Sequence, residues 1–394
     1  MVIHNEAWYR REKAFVEMSW EKIRAMLGNA LRENSEALFR IKDGQGNPVR
    51  FQIDQVDPYD RSKDMLVFLA NVPGNSTATY YITDEVTGKE EKASDNAKIH
   101  SRSPQHWDFI LQNGIVELSV HRGRTPFGYL AGSAFSVKLL DGDVEITDPF
   151  GMRAPEYARR AMQIERIFTK LPWNPDSETE WYFADCDYEY VNSGGGSLRS
   201  FLTLRAPFFI EYENPVRSGP GKVITYLTCF LYRLISLYVG KDYVREDIWV
   251  EAEKYRKVFK NAKEELLEEG SMRVPLSFRA SFSMSIPGLR GSGVDFRKMH
   301  ICPDWFAVGN DYPPHPGIGF ASNAHVNMVH DPEIGNYFCT WDLTPTWYVR
   351  CLHQFMGGRN VTGTGQEHNF GHVVGSNWYD AIYAPLWGEI VSQT

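Results

Sequence analysis

Short segments rich in aromatic and β-branched residues recur along almost the whole chain, and turn residues separate them. Segments 37–43 and 48–54 flank a connection that contains Gly44 and Gly46. Later segments such as 185–190 alternate between polar and apolar residues. A period of two places successive side chains on opposite faces of a sheet. The sequence therefore predicts a mostly β protein.

The chain of 394 residues is long enough for two domains. Residues 85–103 are polar and charged, which is typical of a linker. We expect a small N-terminal β-sandwich over residues 1–98 and a large antiparallel supersandwich over residues 106–394. Residues 253–269 form a charged amphipathic pattern that stops at a glycine, which predicts one helical insertion in the large domain.

Charge and cysteine content exclude several classes of protein. The net charge is −8 and no basic run occurs, so a nucleic-acid partner is not expected. The five cysteines lie far apart without metal-binding spacing, so neither a zinc ribbon nor a disulfide framework is expected, and no cofactor is predicted. The sequence predicts no membrane span, because its most apolar stretch, 223–239, is interrupted by Arg233 and is too short to cross a bilayer. The N-terminus has no apolar signal segment, which predicts a soluble cytoplasmic protein, or a secreted one if a leader was removed.

Segments 38–44, 48–52, 66–73 and 78–81 resemble the β-sandwich modules of α-mannosidase C-terminal regions and of exo-acting rhamnogalacturonan lyase-like proteins. Segment 111–118 resembles the opening strand of the galactose-mutarotase-like supersandwich. Segments 232–238 and 242–245 resemble later strands of that fold. The resemblance covers roughly residues 5–252 and implies an all-β fold in a carbohydrate context. It implies no single reaction, because this fold carries hydrolases, lyases, epimerases and non-catalytic modules.

Histidines are concentrated in the last quarter of the chain. Seven of the eleven follow residue 299, in segments rich in glycine, proline and asparagine: His300, His315, His325, His330, His353, His368 and His372. Loops held by a rigid scaffold commonly carry binding and catalytic groups. We expect His325, His353 and His372 to line one concave face.

His325 lies between two amides that share its face if the segment is extended, namely Asn323 and Asn327. An imidazole in such a polar setting can donate or accept a proton near neutral pH. The sequence therefore predicts a catalytic His325 with Asn323 and Asn327 as substrate-binding groups. The alternative is a histidine that bonds a backbone carbonyl at the sheet surface.

The segment 366–380 offers the groups that a β-eliminating lyase needs: a base, a group that holds the developing charge, and an acid. We predict His372 as the base and Tyr379 as the acid, with ordinary packing as the alternative. His368 and His372 have the spacing of a helical metal site, but nearby glycines argue against a helix, so no metal is predicted.

Arginine and tryptophan side chains are the predicted substrate contacts. Arg122 and Arg124 form a compact basic cluster whose guanidinium groups suit a substrate carboxylate, although a solvated turn is the alternative. Arg350, Trp305 and Trp378 lie among the late histidines. An indole ring can stack on a sugar ring, and it can equally belong to a core.

Together these residues predict a polysaccharide or oligosaccharide lyase that cleaves at a uronate by β-elimination. One alternative is a glycoside hydrolase, which needs two carboxylates flanking the bond. Among the late acids, Asp304 and Asp342 adjoin tryptophans, but no pair stands out. The other alternative is a carbohydrate-binding module without catalysis.

If His325 or His372 transfers a proton in the rate-limiting step, replacing it with alanine should lower turnover by roughly 10²–10⁴. Substrate affinity should change far less, because a proton-transfer group acts mainly in the transition state. Trp378→Ala should instead weaken binding more than turnover. Steady-state kinetics with Tm as a folding control tests these effects, and full activity in both folded histidine variants would make the cluster structural.

Overall fold

The structure is a computed structural model. It describes residues 1–5, 11–27, 39–83, 97–101, 109–120, 135–140, 144–145, 162–171, 174–182, 188–214, 221–241, 243–260, 264–285, 299–302, 305–308, 317–322, 327–331, 336–342 and 346–352. Strands make up most of these residues and pair antiparallel, which confirms the predicted mostly β fold.

The N-terminal part contains eight described strands, one helix and one 3₁₀ turn. They are β1 Val2–Asn5, β2 Arg11–Ser19, α1 Trp20–Leu27, β3 Arg40–Lys42, β4 Pro48–Val49, β5 Phe51–Asp54, the turn Arg61–Lys63, β6 Met65–Val72, β7 Ser76–Thr79 and β8 Tyr81–Thr83.

Two three-stranded sheets, β2-β6-β5 and β4-β3-β8, build this N-terminal sandwich, and β1 pairs with β7. Helix α1 contributes Trp20 and Ile23 to the shared core, where Trp20 stacks on Phe39 at 5.1 Å. Phe68 on β6 is fully buried in the same core. Aromatic residues thus fill the core of this small sandwich.

The remaining described strands belong to larger sheets. They are β9 Lys98–Ser101, β10 Phe109–Gln112, β11 Val116–Val120, β12 Phe135–Leu139, β13 Val144–Glu145, β14 Met162–Leu171, β15 Asn174–Tyr182, β16 Glu189–Gly195, β17 Arg199–Asn214, β18 Lys222–Tyr238, β19 Tyr243–Lys260, β20 Glu264–Pro275, β21 Ser277–Ser285, β22 Met299–Cys302, β23 Trp305–Val308, β24 Gly317–Ser322, β25 Asn327–Asp331, β26 Asn336–Asp342 and β27 Thr346–Leu352.

Three sheets result. One is five-stranded, β13-β12-β11-β10-β9, and a second is β15-β14-β21-β26-β25. The third runs β16-β17-β18-β19-β27-β24-β23-β22, with β20 added on β19, and is called the large sheet below. Residues 98–101 of the predicted linker form strand β9, which pairs with β10. Within the described part of the chain, no helix is long and apolar enough to cross a membrane.

The predicted helix at residues 253–269 is wrong, because residues 253–260 belong to β19 and residues 264–269 belong to β20. Charged residues of this segment pair across the two strands: Lys257 bonds Glu268 at 2.8 Å. Val258 is fully buried and lies opposite Ile224 of β18. Pairing with the long β18 therefore outweighs the local helical pattern.

One face of the large sheet, here called the front face, receives the N-terminal sandwich. Cross-strand partners share a face, and the row Arg205, Tyr232 and Trp249 lies on this one. Val56 from the loop after β5 packs in a buried cluster with Phe201 on the same face. The sandwich is thus seated on β17, β18 and β19.

Close backbone contact accompanies this seating. Gln52 of β5 donates its amide to the backbone oxygen of Arg199 at 2.9 Å and accepts from the Leu198 amide at 3.0 Å. A Cβ on Gly196 would come within 2.3 Å of the Gln52 side chain. A larger residue at position 196 would therefore displace the Gln52 amide from these bonds.

A buried network of charges joins the two parts. Arg199, which has no exposed surface, donates to Glu17 of β2 and to Asp54 of β5, both at 2.7 Å. Arg245 and the Tyr238 hydroxyl also donate to Glu17. Burial opposes the charge of Glu17, but Arg245 and Arg199 outweigh it, so the pKa of this carboxyl is lowered.

Glu17→Gln should lower the free energy of unfolding at neutral pH by about 3–5 kcal/mol, because it removes the buried charge that Arg199 and Arg245 share and leaves each of them with one carboxylate. A depressed carboxyl pKa stabilises the fold above the ordinary value of 4.5, and this stabilisation is lost as pH falls through the folded-state pKa. The difference in the free energy of unfolding between Glu17→Gln and wild type should therefore be smaller at acidic pH. Urea unfolding at neutral and acidic pH measures it.

The matched control is Glu213→Gln, which removes an exposed pair with Lys222 at 2.9 Å. That change should lower the free energy of unfolding by less than about 1 kcal/mol. Equal costs for Glu17→Gln and Glu213→Gln would contradict a stabilising role for the buried network.

Candidate functional site

Most of the predicted site residues lie outside the described residues, so their assignments stay predictions. They are Arg122, Arg124, Asn323, His325, His353, His372, Trp378 and Tyr379. Three others lie in described strands: Trp305 in β23, Asn327 in β25 and Arg350 in β27.

The structure brings two of these three into one sheet. Trp305 is aligned with Ala321, Tyr348 and Arg245 in one cross-strand row of the large sheet. Arg350 pairs with Tyr243 of β19 in that sheet, whereas β25 with Asn327 belongs to the five-stranded sheet that ends with it. Two predicted binding residues thus share a sheet with the buried charge network.

The described residues contain a different polar cluster, in which four carboxylates surround one guanidinium group. Arg273 contacts Asp57 at 3.0 Å, Asp60 at 2.6 Å, Glu251 at 3.4 Å and Glu253 at 3.8 Å. Lys63 pairs with Glu251 at 2.8 Å. These six residues, Asp57, Asp60, Lys63, Glu251, Glu253 and Arg273, are called the Arg273 cluster.

Both parts of the protein supply this cluster. Asp57, Asp60 and Lys63 come from the loop and 3₁₀ turn between β5 and β6, where the Asp60 side chain accepts from the Ser62 amide at 3.1 Å. The other three residues lie on the paired strands β19 and β20. The seating of the N-terminal sandwich therefore brings together residues that are about two hundred positions apart.

Glu253 lies at a β-bulge. Cys229 of β18 pairs with Ala252, and Thr228 pairs with Lys254, so Glu253 is the extra residue on β19. Bulges redirect side chains and are common next to functional sites.

Aromatic rings line the front face beside the cluster. Tyr232 stacks on Trp249 with centroids 4.9 Å apart and planes 4° apart. Lys63 lies 5.2 Å above the Trp249 ring, and Arg205 lies 4.3 Å from the centroid of Phe230. Two of these rings therefore make cation–π contacts with charged groups.

Tyr232 also bonds the cluster directly, since its hydroxyl donates to Glu253. Burial and the neighbouring Glu253 raise the pKa of the Tyr232 hydroxyl. Tyr232 therefore keeps its proton at neutral pH and holds the Glu253 carboxylate in place.

The four carboxylates of the Arg273 cluster differ in how much of their side-chain surface is exposed to solvent. Asp57 and Glu251 are buried, whereas Asp60 and Glu253 each keep 17% of their side-chain surface exposed. Burial raises the pKa of Asp60, but bonds from Ser62 and the charge of Arg273 outweigh it, so the net pKa is lowered. Asp60 and Glu253 are thus the carboxylates that a ligand can reach.

This arrangement can accept hydrogen bonds from hydroxyl groups and can supply carboxyl groups for acid–base chemistry. In the part of the chain that the structure describes, no group of three or more histidine, cysteine or acidic side chains is placed to hold a metal ion. The carboxylates here bind cationic side chains instead.

Sequence reasoning missed this cluster, because its members are spread over residues 57–273. One signal was present: Trp249 and Glu251 are two positions apart, which on a strand places an aromatic ring and an acid on one face. Two aspartates also flank the turn segment Pro58 and Tyr59.

Comparisons with known proteins give the following matches. The model of a family described as a domain of unknown function (DUF4861) matches residues 3–133. No curated protein matches the chain.

Two solved structures from Enterococcus faecalis are similar at low TM-score. An α-mannosidase of strain V583 gives a TM-score of 0.42 at 8% identity, over 92% of this chain and 44% of that one. A protein of glycosyl hydrolase family 38 gives a TM-score of 0.43 at 8% identity, over 92% of this chain and 45% of that one. The chain thus spans less than half the length of these two proteins.

Arg273→Met should lower the free energy of unfolding by about 3 kcal/mol, because buried Asp57 and Glu251 lose their shared cation. The matched control, Lys222→Met, removes only an exposed pair with Glu213 and should cost less than about 1 kcal/mol. Chemical denaturation at neutral pH measures both. An Arg273→Met variant as stable as its control would show that the four carboxylates do not need this guanidinium.

Proposed function

We propose that the protein is carbohydrate-active and binds a sugar at the Arg273 cluster on the front face of the large sheet. The observation that carries this proposal is the pair of partly exposed carboxylates, Asp60 and Glu253, held beside a layer of aromatic rings. Sugars present hydroxyl donors at their edge and an apolar C–H face. The resemblance of the first part of the sequence to modules of carbohydrate-active proteins also supports a sugar ligand.

Hydrolysis is the reaction that the described geometry favours. Glycoside hydrolases use two carboxyl groups that lie about 5–9.5 Å apart. Asp60 and Glu253 contact the same guanidinium group at 2.6 and 3.8 Å, which keeps their carboxyl groups below the upper limit of this range. In this proposal Glu253 is the acid or base, since it is reachable, lies at a bulge and bonds Tyr232.

Elimination at a uronate is the second candidate, and the histidines after residue 299 favour it. In that proposal His325 and His372 move protons, Tyr379 protonates the leaving oxygen, and Arg122, Arg124 or Arg350 holds the uronate carboxylate. The position of Trp305 and Arg350 in the large sheet supports a substrate that extends along this sheet.

Incubation with neutral and uronate-containing oligosaccharides distinguishes the candidates. Hydrolysis gives new reducing ends without ultraviolet absorbance, whereas elimination gives an unsaturated uronate that absorbs in the ultraviolet. Binding without either product would indicate a non-catalytic module. A protein that binds no member of the panel would contradict the carbohydrate proposal.

Glu253→Gln should lower hydrolytic turnover by roughly 10²–10⁴, because the amide cannot transfer a proton. Glu213→Gln is the control, since Glu213 is an exposed acid on the same sheet outside the cluster. Turnover and Tm are measured together. If Glu253→Gln stays folded and as active as the control, catalysis does not use this cluster and the late histidines become the site to test.

A further inference from the structure

Tyr59 is the most exposed large apolar or aromatic side chain among the described residues, with 81% of its surface accessible. A single exposed aromatic ring is common on protein surfaces. Its setting decides whether it has a role, and here it lies between the two aspartates that bind Arg273.

The backbone of Tyr59 is fixed to the Arg273 cluster. Its amide donates to one carboxylate oxygen of Asp57 at 2.9 Å, and the other oxygen of that carboxylate accepts from Arg273 at 3.0 Å. The Asp60 amide donates to the Asp57 carbonyl at 3.2 Å, and Asp60 itself pairs with Arg273. Pro58 restricts the backbone further.

This loop is therefore ordered before a ligand arrives. A ring carried on an ordered backbone loses less conformational entropy on stacking than one carried on a flexible loop, so its contact contributes more to affinity. The loop belongs to the N-terminal sandwich, whereas Glu253 and Arg273 belong to the large sheet.

The charge balance of the cluster indicates which ligand fits. Within the described residues, its four carboxylates face three cations, namely Lys63 and Arg273 of the cluster and Arg205, which contacts Glu253 at 3.7 Å. A further carboxylate would be repelled, whereas hydroxyl groups can donate to Asp60 and Glu253. An uncharged sugar ring meets both conditions, since its C–H face suits the phenol ring and its hydroxyls suit the acids.

We infer that Tyr59 is a substrate-contacting residue that stacks on an uncharged pyranose ring bound at the Arg273 cluster. This inference rests on the proposed function, and it adds the sugar class and a contact from the N-terminal sandwich.

Isothermal titration of the full chain with neutral manno-, gluco-, galacto- and xylo-oligosaccharides, and with oligogalacturonate, tests it. Wild type should bind a neutral probe more tightly than oligogalacturonate. Tyr59→Ala should weaken that binding about five- to tenfold, the worth of one aromatic contact. Tyr59→Phe should retain it, because the ring remains.

Tyr81→Ala is the matched control, since Tyr81 is an exposed tyrosine on β8, outside the Arg273 cluster, and its loss should leave affinity unchanged. Wild-type binding that Tyr59→Ala does not alter would overturn this inference alone, as would preferential binding of oligogalacturonate. A wild type that binds none of the probes would overturn the proposed function together with the inference. Because Tyr59 is exposed, the variants are expected to keep the wild-type Tm, which is measured alongside.

Discussion

The burial of Arg199 is the constraint on which the rest of the structure depends. A guanidinium group without solvent contact requires carboxylates in direct contact. Here Glu17 of β2 and Asp54 of β5, both in the N-terminal sandwich, supply them. This requirement specifies where β2 and β5 lie on the large sheet. Apolar packing alone would allow the N-terminal sandwich to shift, whereas a charge network with directed hydrogen bonds allows one arrangement.

The Arg273 cluster follows from that arrangement. With β5 placed on β17, the loop that follows it reaches β19 and β20, and its two aspartates meet Arg273. The bulge at Glu253 then adds a carboxylate that would otherwise be part of a regular ladder. One buried ion network and one local irregularity thus combine to form a charged cluster beside the aromatic layer of the front face.

The helix predicted at residues 253–269 shows where local pattern is insufficient. Charges spaced along a segment satisfy both a helix and a hairpin, because each geometry can place opposite charges side by side. The choice depends on β18, whose length offers β19 a full ladder and buries Val258 between neighbouring strands. Nothing within the segment itself carries that information.

The sequence by itself determined the β character of the chain and the short aromatic and β-branched segments that become strands of the N-terminal sandwich. These follow from periodicity and residue type, which act over a few neighbouring residues. Only the tertiary structure decided that Asp57, Asp60, Glu251, Glu253 and Arg273 meet. Their contact depends on long-range strand pairing and on a buried counter-charge network, and neither leaves a local trace in the sequence.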